Sequence, residues 1–505
     1  MYKKMKKHIF ALLPALLLAS CAESTMDSIN KDLANPPVES MNGKLMITDA
    51  MTSTAFSVSS GDYSFYTAVF NEQVFGCGNN QFKNAEMRQT NETTASTTFN
   101  NVWNSTYANL LNLKAIIAKC AEGGLNEGQK DLEGMAKLLS AINWGILTDM
   151  HGDIPCSEAL GGAGHKQSKL DPQESVYEHI FTLIDEAISD FDEAAGMRNV
   201  SSQDLIYGGD IASWSAAAHA VKARYLLHKS VRDPQAFSQA KAEAKAALDA
   251  GFAGFDFAVY DGNAAMNPWA AFQYSRDYCA NSASLHDKMA ERDDPRCSVY
   301  FGFYDESEGL DPEAEVTYGV PGNLADAQST YTLGAPGWLS YSMATGLPVG
   351  AAASTHIVSL AEVNFILAEC QARAGEDYSA ALVAAVEASF DDTAAFGTID
   401  GTAADYVASL SARLAADPVA EIMMQKYIAQ TRDENVEAYN DLRRCKAMGE
   451  EFVKMTNPQN TQDGANYLPV RLPYGNSDVS ANSYVREAYG NGRYCLTDPV
   501  WIFSK

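Results

Sequence analysis

Beyond residue 20 this chain has no stretch of 18 or more consecutive apolar residues, so nothing in its body has the length to cross a bilayer as a helix. Basic residues are scarce: 37 Lys and Arg stand against 64 Asp and Glu, a formal charge of −27. A surface of that sign repels phosphate backbones and argues against nucleic acid as a partner, while it favours solubility. Also missing are CxxC pairs, zinc-like Cys and His spacings, and the GxSxG and HExxH phrases of hydrolases and metalloproteases. No metal site, no cofactor and no catalytic constellation can be read from the residues. With 46% hydrophobic and 20% charged residues, the composition is that of an ordinary folded body.

The N-terminus carries a different signal. Lys3, Lys4, Lys6 and Lys7 precede an apolar run from Ile9 to Leu18, the charged and apolar regions of a secretory leader. Leu18-Ala19-Ser20-Cys21 resembles a lipobox, in which cleavage before the cysteine leaves Cys21 to receive lipid. Each buried CH₂ of an acyl chain contributes about 0.8 kcal/mol, so a multiply acylated Cys21 is a stable anchor. The polar segment after it suits a flexible tether. Loss of the four lysines with the leader takes the formal charge to −31. The eight other cysteines are scattered; most read as buried free thiols, with a disulfide among them left open.

Helices come in pairs along the body. About Glu127–Met150, Leu132, Met135, Leu138, Leu139, Ile142 and Ile146 recur at spacings of three and four, ending at Gly152 and Pro155. Asp171 and Pro172 suit the cap and first turn of a second helix, whose stripe runs from Val176 to Phe191. Further helices are expected over about Ser213–Lys229, Pro234–Ala250, Ser359–Ala374, Tyr378–Ser389, Ala403–Ala415 and Val419–Met448. Between them, Phe252–Thr355 is rich in Gly, Asp, Tyr and Pro and lacks sustained helical periodicity; segments of that kind are usually functional. The expected fold is all-α, a tetratricopeptide-like helix-pair scaffold carrying a long loop-rich insert. The expected organisation is a leader over 1–20, a tether over 21–40 and one domain over 41–505, with the insert at about 252–355.

A series of phrases resembles the SusD/RagB family, in its SusD-like second-type branch. Trp103-Asn104-Ser105-Thr106-Tyr107 looks like the family's early helix, and Leu147-Thr148-Asp149-Met150-His151-Gly152-Asp153-Ile154-Pro155-Cys156 is similar to its "tD.yGdiPy" phrase, with Cys156 where Tyr is common. Trp214 to Arg224, Asp294-Pro295-Arg296, Ser359 to Glu369, Gln425-Lys426-Tyr427, Glu437 to Arg444 and Leu468 to Tyr474 follow in the family's order. The resemblance implies a lipid-anchored protein of the outer membrane and cell surface. Such a protein binds oligosaccharide or another nutrient, catalyses nothing, and acts as a lid on a SusC-like TonB-dependent transporter. A surface glycan-active enzyme and a structural or adhesin lipoprotein are the alternatives.

The residues that invite other readings are few. Asp149, His151, Asp153 and Glu158 could be imagined as a metal or acid–base cluster, but Gly152 and Pro155 make the phrase a turn. Glu362 and Glu369 could be paired glycosidase acids, yet they are expected to meet Arg443 or Arg444 and Lys426 as interior ion pairs. His179, His219, His228 and His286 look isolated. Sugars offer C–H patches to aromatic faces and hydroxyls to polar side chains. The candidate rings are Trp269, Phe272, Tyr274, Tyr318, Tyr331, Trp338 and Tyr341 in the insert, with Trp338 first among them, set beside Pro336 and Gly337. A second group is Tyr63, Phe65, Tyr66 and Phe75, in a region that reads as poorly helical. Trp144 and Trp214 lie in helix stripes and are expected in the core.

The lipobox reading has a direct test. Cys21→Ala is expected to release the protein from membranes or to stall its processing, as judged by membrane fractionation and mass spectrometry; an unchanged, detergent-requiring mature protein would refute it.

Overall fold

The structure, a computed structural model, describes residues 40–505 apart from 79–80, 277, 306–308, 312–315, 329–348 and 457–467. Its frame is a stack of paired helices. Helix α1 (Gly43–Ser53) runs into a π-helical turn at Thr54–Ser59 and is followed by α2 (Asp62–Phe70). Then come α3 (Asn100–Cys120), α4 (Lys130–His151), α5 (Gln173–Glu193), α6 (Ile211–His228) and α7 (Ala236–Asp249). Each of α3 to α7 packs on the next. Beyond the insert, α9 (Leu360–Arg373) packs on α7, on α10 (Ser379–Ala394) and on α11 (Pro418–Ala429). Helix α12 (Asn435–Met448) lies against α2. This is the all-α, tetratricopeptide-like stack that the periodicities imply. No helix among the described residues is long and apolar enough to cross a membrane.

The insert is made of short pieces. Its principal helix is α8 (Pro268–Arg276), followed by one-to-two-turn helices at Ala283–Ala290, Cys297–Tyr300, Leu324–Gln328 and Val349–Ala352. Among the described residues, six short strands form three antiparallel ribbons. β1 (Phe75–Gly76) pairs with β3 (Cys279–Ala280), β2 (Phe255–Phe257) with β6 (Thr355–Val358), and β4 (Phe303–Asp305) with β5 (Gly309–Asp311). The β2–β6 ribbon closes the insert at its base.

Local chemistry departs from the sequence reading in several places. Asp171 does not cap α5: its carboxylate accepts from the Cys156 and Ser157 amides at 2.8 Å each, holding the turn before it. Asp153 supplies the acceptor instead, 2.8 Å from the Gln173 amide, and Pro172 is the cap residue rather than part of the first turn. The stretch expected as one helix over Val419–Met448 is broken between α11 and α12, with Arg432 at φ +84°. No Gly or Pro marks that break. Arg432 is held there by Asp433, by the Ser354 carbonyl at 3.1 Å and by the face of Phe396. Finally, Tyr63–Phe70 is helix. Every residue of it is buried, so the apolar face that betrays a surface helix has no polar counterpart.

The Asp149–Pro155 phrase is a structural turn. Gly152 ends α4 at φ +81°, a conformation that favours glycine. His151 lies beneath it, edge-on to Trp103 with centroids 4.9 Å apart, and its Nε2 is 2.7 Å from the Tyr63 hydroxyl. Burial pushes this imidazole down to about 3, so it is neutral and Nε2 accepts from Tyr63 while Nδ1 donates to the Leu472 carbonyl.

The interior ion pairs are real but partly different from those expected. Glu369 takes two parallel hydrogen bonds from Arg444, both 2.8 Å, and a third from Arg373. Lys426 pairs with Asp441 at 2.7 Å. Glu362 meets neither Arg443 nor Arg444; its partner is Arg224 of α6, 2.9 Å from Nε to Oε1. Arg443 spends its guanidinium on the Asp149 and Val470 carbonyls. His228, isolated in sequence, sits 2.8 Å from Glu437 and 3.1 Å from Asp149. Burial alone would lower its pKa, but the two carboxylates outweigh burial and hold it up at about 9. The eight cysteines after Cys21 are free thiols, most of them buried.

Breaking a buried pair strands its partner's charge, at a cost of about 3–5 kcal/mol. Glu369→Gln is therefore expected to lower unfolding free energy by that amount in urea titration, through the stranded Arg444. A variant that unfolds with wild-type parameters would remove the pair from the structural frame.

Candidate functional site

The glycan-candidate rings fall into separate environments. Trp338, Tyr331 and Tyr341 lie outside the described residues. Tyr318 is half-buried, stacked near His286 with centroids 4.3 Å apart and close to Phe301. Trp269 is 1% exposed, with its indole N–H on the Ser64 hydroxyl, and Tyr66 is 3% exposed, with its hydroxyl on Glu92. These two rings serve packing, and neither offers a face to a ligand. Tyr274 is 52% exposed on α8. Phe272 is half-buried and open on one side.

Phe272 joins the two candidate groups. Its ring stacks on Phe65 of α2, centroids 4.4 Å apart and planes at 25°, while Trp269 meets Phe65 edge-on at 4.7 Å. The pairing follows from where α2 and α8 begin. Asn267 accepts from the Trp269 amide at 2.9 Å and starts α8 with Pro268 at its first position. On the other side, the π-helical turn is pinned by Thr54, whose hydroxyl accepts from Asn109 of α3 at 3.0 Å and Asn143 of α4 at 2.9 Å. Gly61 then lets the chain double back, since a Cβ there would lie 2.2 Å from the Ser57 carbonyl oxygen.

Between these elements is an open groove of about 380 Å³. Phe56, Phe65 and Phe272 supply its apolar wall, and Ser57, Asp62, Asn101, Ser105 and Ser275 its polar groups. Phe56 projects from the π-helical turn and is 43% exposed, an unusual position for so large a ring. No hydrogen bond or ion pair engages the side chains of Ser57, Asp62, Asn101 or Ser105 among the described residues. Burial pushes the Asp62 carboxyl above its ordinary value. Aromatic faces next to uncommitted hydroxyl, amide and carboxylate groups are what a ligand with C–H patches and hydroxyls requires.

Two other cavities are less suited to that chemistry. One of about 530 Å³ between α3, α4 and α5 is walled by Leu110, Ile117, Trp144, Val176 and Leu183, and its Lys114 ammonium already contacts the Ala159 and Leu160 carbonyls. A polar one of about 280 Å³ near Trp103 has its groups paired internally: Trp103 with Asp478, Asn104 with Ser477, and Asn482 with Ser168. Among the described residues no His, Cys, Asp and Glu cluster is arranged to hold a metal ion. Glu362 and Glu369 are 1% and 0% exposed and lie in ion pairs, away from the groove.

Phe272 and Phe65 are thus the sequence candidates in the groove lining, Phe65 being the buried one of the two. Phe56, Ser57, Asp62, Asn101 and Ser105 escape the sequence reading. Phe56 is a lone aromatic among small and polar residues, and that spacing was the available signal.

Comparison with known proteins gives one coherent answer. Residues 36–475 match the SusD-like family model described as "Starch-binding associating with outer membrane". A SusD/RagB family protein from Bacteroides thetaiotaomicron is similar at 30% identity and a TM-score of 0.78, over 92% of this chain and 99% of that one. A SusD homolog from Bacteroides fragilis is similar at 20% identity, TM-score 0.68, over 92% and 100%. A chitin-binding SusD homolog from Flavobacterium johnsoniae is similar at 19% identity, TM-score 0.68, over 91% and 99%. No curated protein matches the chain.

The division of rings into packing and exposed sets is testable by stability. Trp269→Ala is expected to cost about 3–5 kcal/mol, as for other buried aromatic truncations. Thermal and urea unfolding would measure it; an unchanged midpoint would return Trp269 to the candidate ligands.

Proposed function

We propose that this chain, which belongs to the SusD-like family of starch-binding proteins associating with the outer membrane, captures a glycan in the groove beside Phe56 and Phe272 and catalyses nothing. The observation that carries the reading is the groove itself: an exposed Phe56 beside Phe272, facing side chains of Ser57, Asp62, Asn101 and Ser105 that have no partner within the described protein. Stacking supplies the apolar part of sugar affinity, and the uncommitted groups exchange water for sugar hydroxyls. A chitin-binding relative of the same fold supports a carbohydrate as the cargo.

In this reading residues 1–20 are a leader, 21–40 a tether from an acylated Cys21, and 41–505 one capture domain at the cell surface. The proposed partner is a SusC-like TonB-dependent transporter, over which the protein acts as a lid and passes its ligand inward. Trp338, Tyr331 and Tyr341 remain candidate contacts from the insert. Tyr274 and Tyr318 stay candidates with them. A surface enzyme is the rival: new reducing ends on incubation with mixed glycans would establish it. Copurification of an outer-membrane barrel separates the uptake role from an adhesin.

Phe56→Ala is the cleanest test of the groove, since its ring is exposed and its loss leaves the frame intact. We expect a roughly three- to tenfold weaker affinity for whichever glycan the wild type binds, with a nearly unchanged melting temperature. Calorimetry on both proteins decides it, and wild-type affinity in Phe56→Ala would move the site elsewhere.

A further inference from the structure

The groove has a charge character of its own. Among the described residues its lining contains Asp62 and no Lys, Arg or His. Arg276, next along α8 from Ser275, is exposed and turned back, with Nη1 3.1 Å from the Ser275 carbonyl, and is not part of the lining. An ionised carboxylate only accepts hydrogen bonds. A sugar hydroxyl or ammonium can donate to it; the carboxylate of a uronic acid or a sulfate ester cannot, and brings a second negative charge into a partly desolvated space.

We infer that this groove takes neutral and amino-bearing glycans and rejects acidic ones, with Asp62 as the specificity-determining residue. The inference rests on the capture reading above. Burial pushes the Asp62 carboxyl up, no described residue pairs with its charge, and a donor from the ligand supplies the missing stabilisation. Without a cation in the lining, nothing there compensates a ligand anion. The net charge of −27 adds a long-range repulsion that salt screens.

The experiment uses three β-1,4-linked hexamers with a common ring frame: cellohexaose, the fully deacetylated glucosamine hexamer, and the glucuronate hexamer. Calorimetry with the wild type at low salt is expected to show cellohexaose and the amino hexamer binding at least about tenfold more tightly than the glucuronate hexamer. Asp62→Asn is expected to close that gap to within about threefold. A measurement independent of the variant's folding is the salt dependence in the wild type. Raising ionic strength should strengthen glucuronate binding, weaken amino-hexamer binding and leave cellohexaose unmoved. Equal affinities for the neutral and acidic hexamers, a gap untouched by Asp62→Asn in a folded variant, or the opposite salt trend overturns the inference. If those results come with affinities that fall in Phe56→Ala, the capture reading stands and the charge rule alone fails. Binding of none of the three hexamers, or affinities all indifferent to Phe56→Ala, sinks the capture reading and this inference together.

Discussion

Arg224 holds the two halves of this molecule together. It sits on α6, before the insert, and its guanidinium binds Glu362 on α9, after the insert, as well as the Ile357 carbonyl on β6 and Glu434 beside α12. One cation therefore fixes the spacing of the elements from which the insert departs and to which it returns. Burial, and then the neighbouring Glu362 charge, push Glu434 well above the usual carboxylate range. His228 extends the network to Asp149 on α4, and Arg444 with Glu369 closes it on the far side. Buried pairs of this kind contribute little net stability over well-packed apolar residues. What they contribute here is register: helices that differ in sequence separation by more than a hundred residues can meet in one arrangement only if these charges are matched.

That fixed frame lets an irregular surface be rigid. The π-helical turn would be free to fray, yet Thr54 ties it to Asn109 and Asn143 deep in the stack. Helix α8 is only nine residues long and would not persist alone in water. Trp269 secures it by burial against Phe65. Phe56 and Phe272 are consequently presented from two short, strongly anchored elements. A ligand meeting a preset surface does not have to order it first, and that saving is about 0.5–1.5 kcal/mol for each side chain already fixed.

The paired amphipathic helices were legible because half-buried helices show a period, as α4 and α5 do. Where burial is complete the period vanishes, and Tyr63–Phe70 passed for irregular chain although it is a helix at the centre of the core. The break at Arg432 was hidden for a related reason: its left-handed turn is stabilised by tertiary partners, Ser354 and Phe396, rather than by a local Gly or Pro. Composition pointed to the insert's aromatics but could not sort them. Trp269 and Phe272 are three residues apart on one helix, and only the packing of α2 beneath α8 makes one of them core and the other a groove wall. Likewise Glu362 and Glu369 were recognisable as interior acids, while the identity of their cations depended on which helices met. Asp62 and Asn101 were invisible because a polar side chain declares a binding role only when nothing else in the protein claims it.

The modest size of the groove bears on how a capture protein can work. Most aromatic surface near it is spent internally: Phe65, Phe82, Trp269 and Tyr278 pack on one another or on Phe272, while Phe56 keeps 43% of its surface exposed. In the proposed capture role, a site with one open ring, one half-open ring and a few uncommitted polar groups would hold a sugar by several weak contacts. Because association rates vary far less than dissociation rates among related complexes, weak contacts translate chiefly into short residence. For an enzyme that would be a handicap, since binding energy must be spent on a transition state. For a protein whose proposed task is to gather a polymer and yield it to a transporter, short residence is the useful property. Additional sugar units engaging neighbouring surface then raise overall avidity without slowing the release of any single unit. In that proposed role, the same packing that denies the groove a larger aromatic platform would favour transfer over retention.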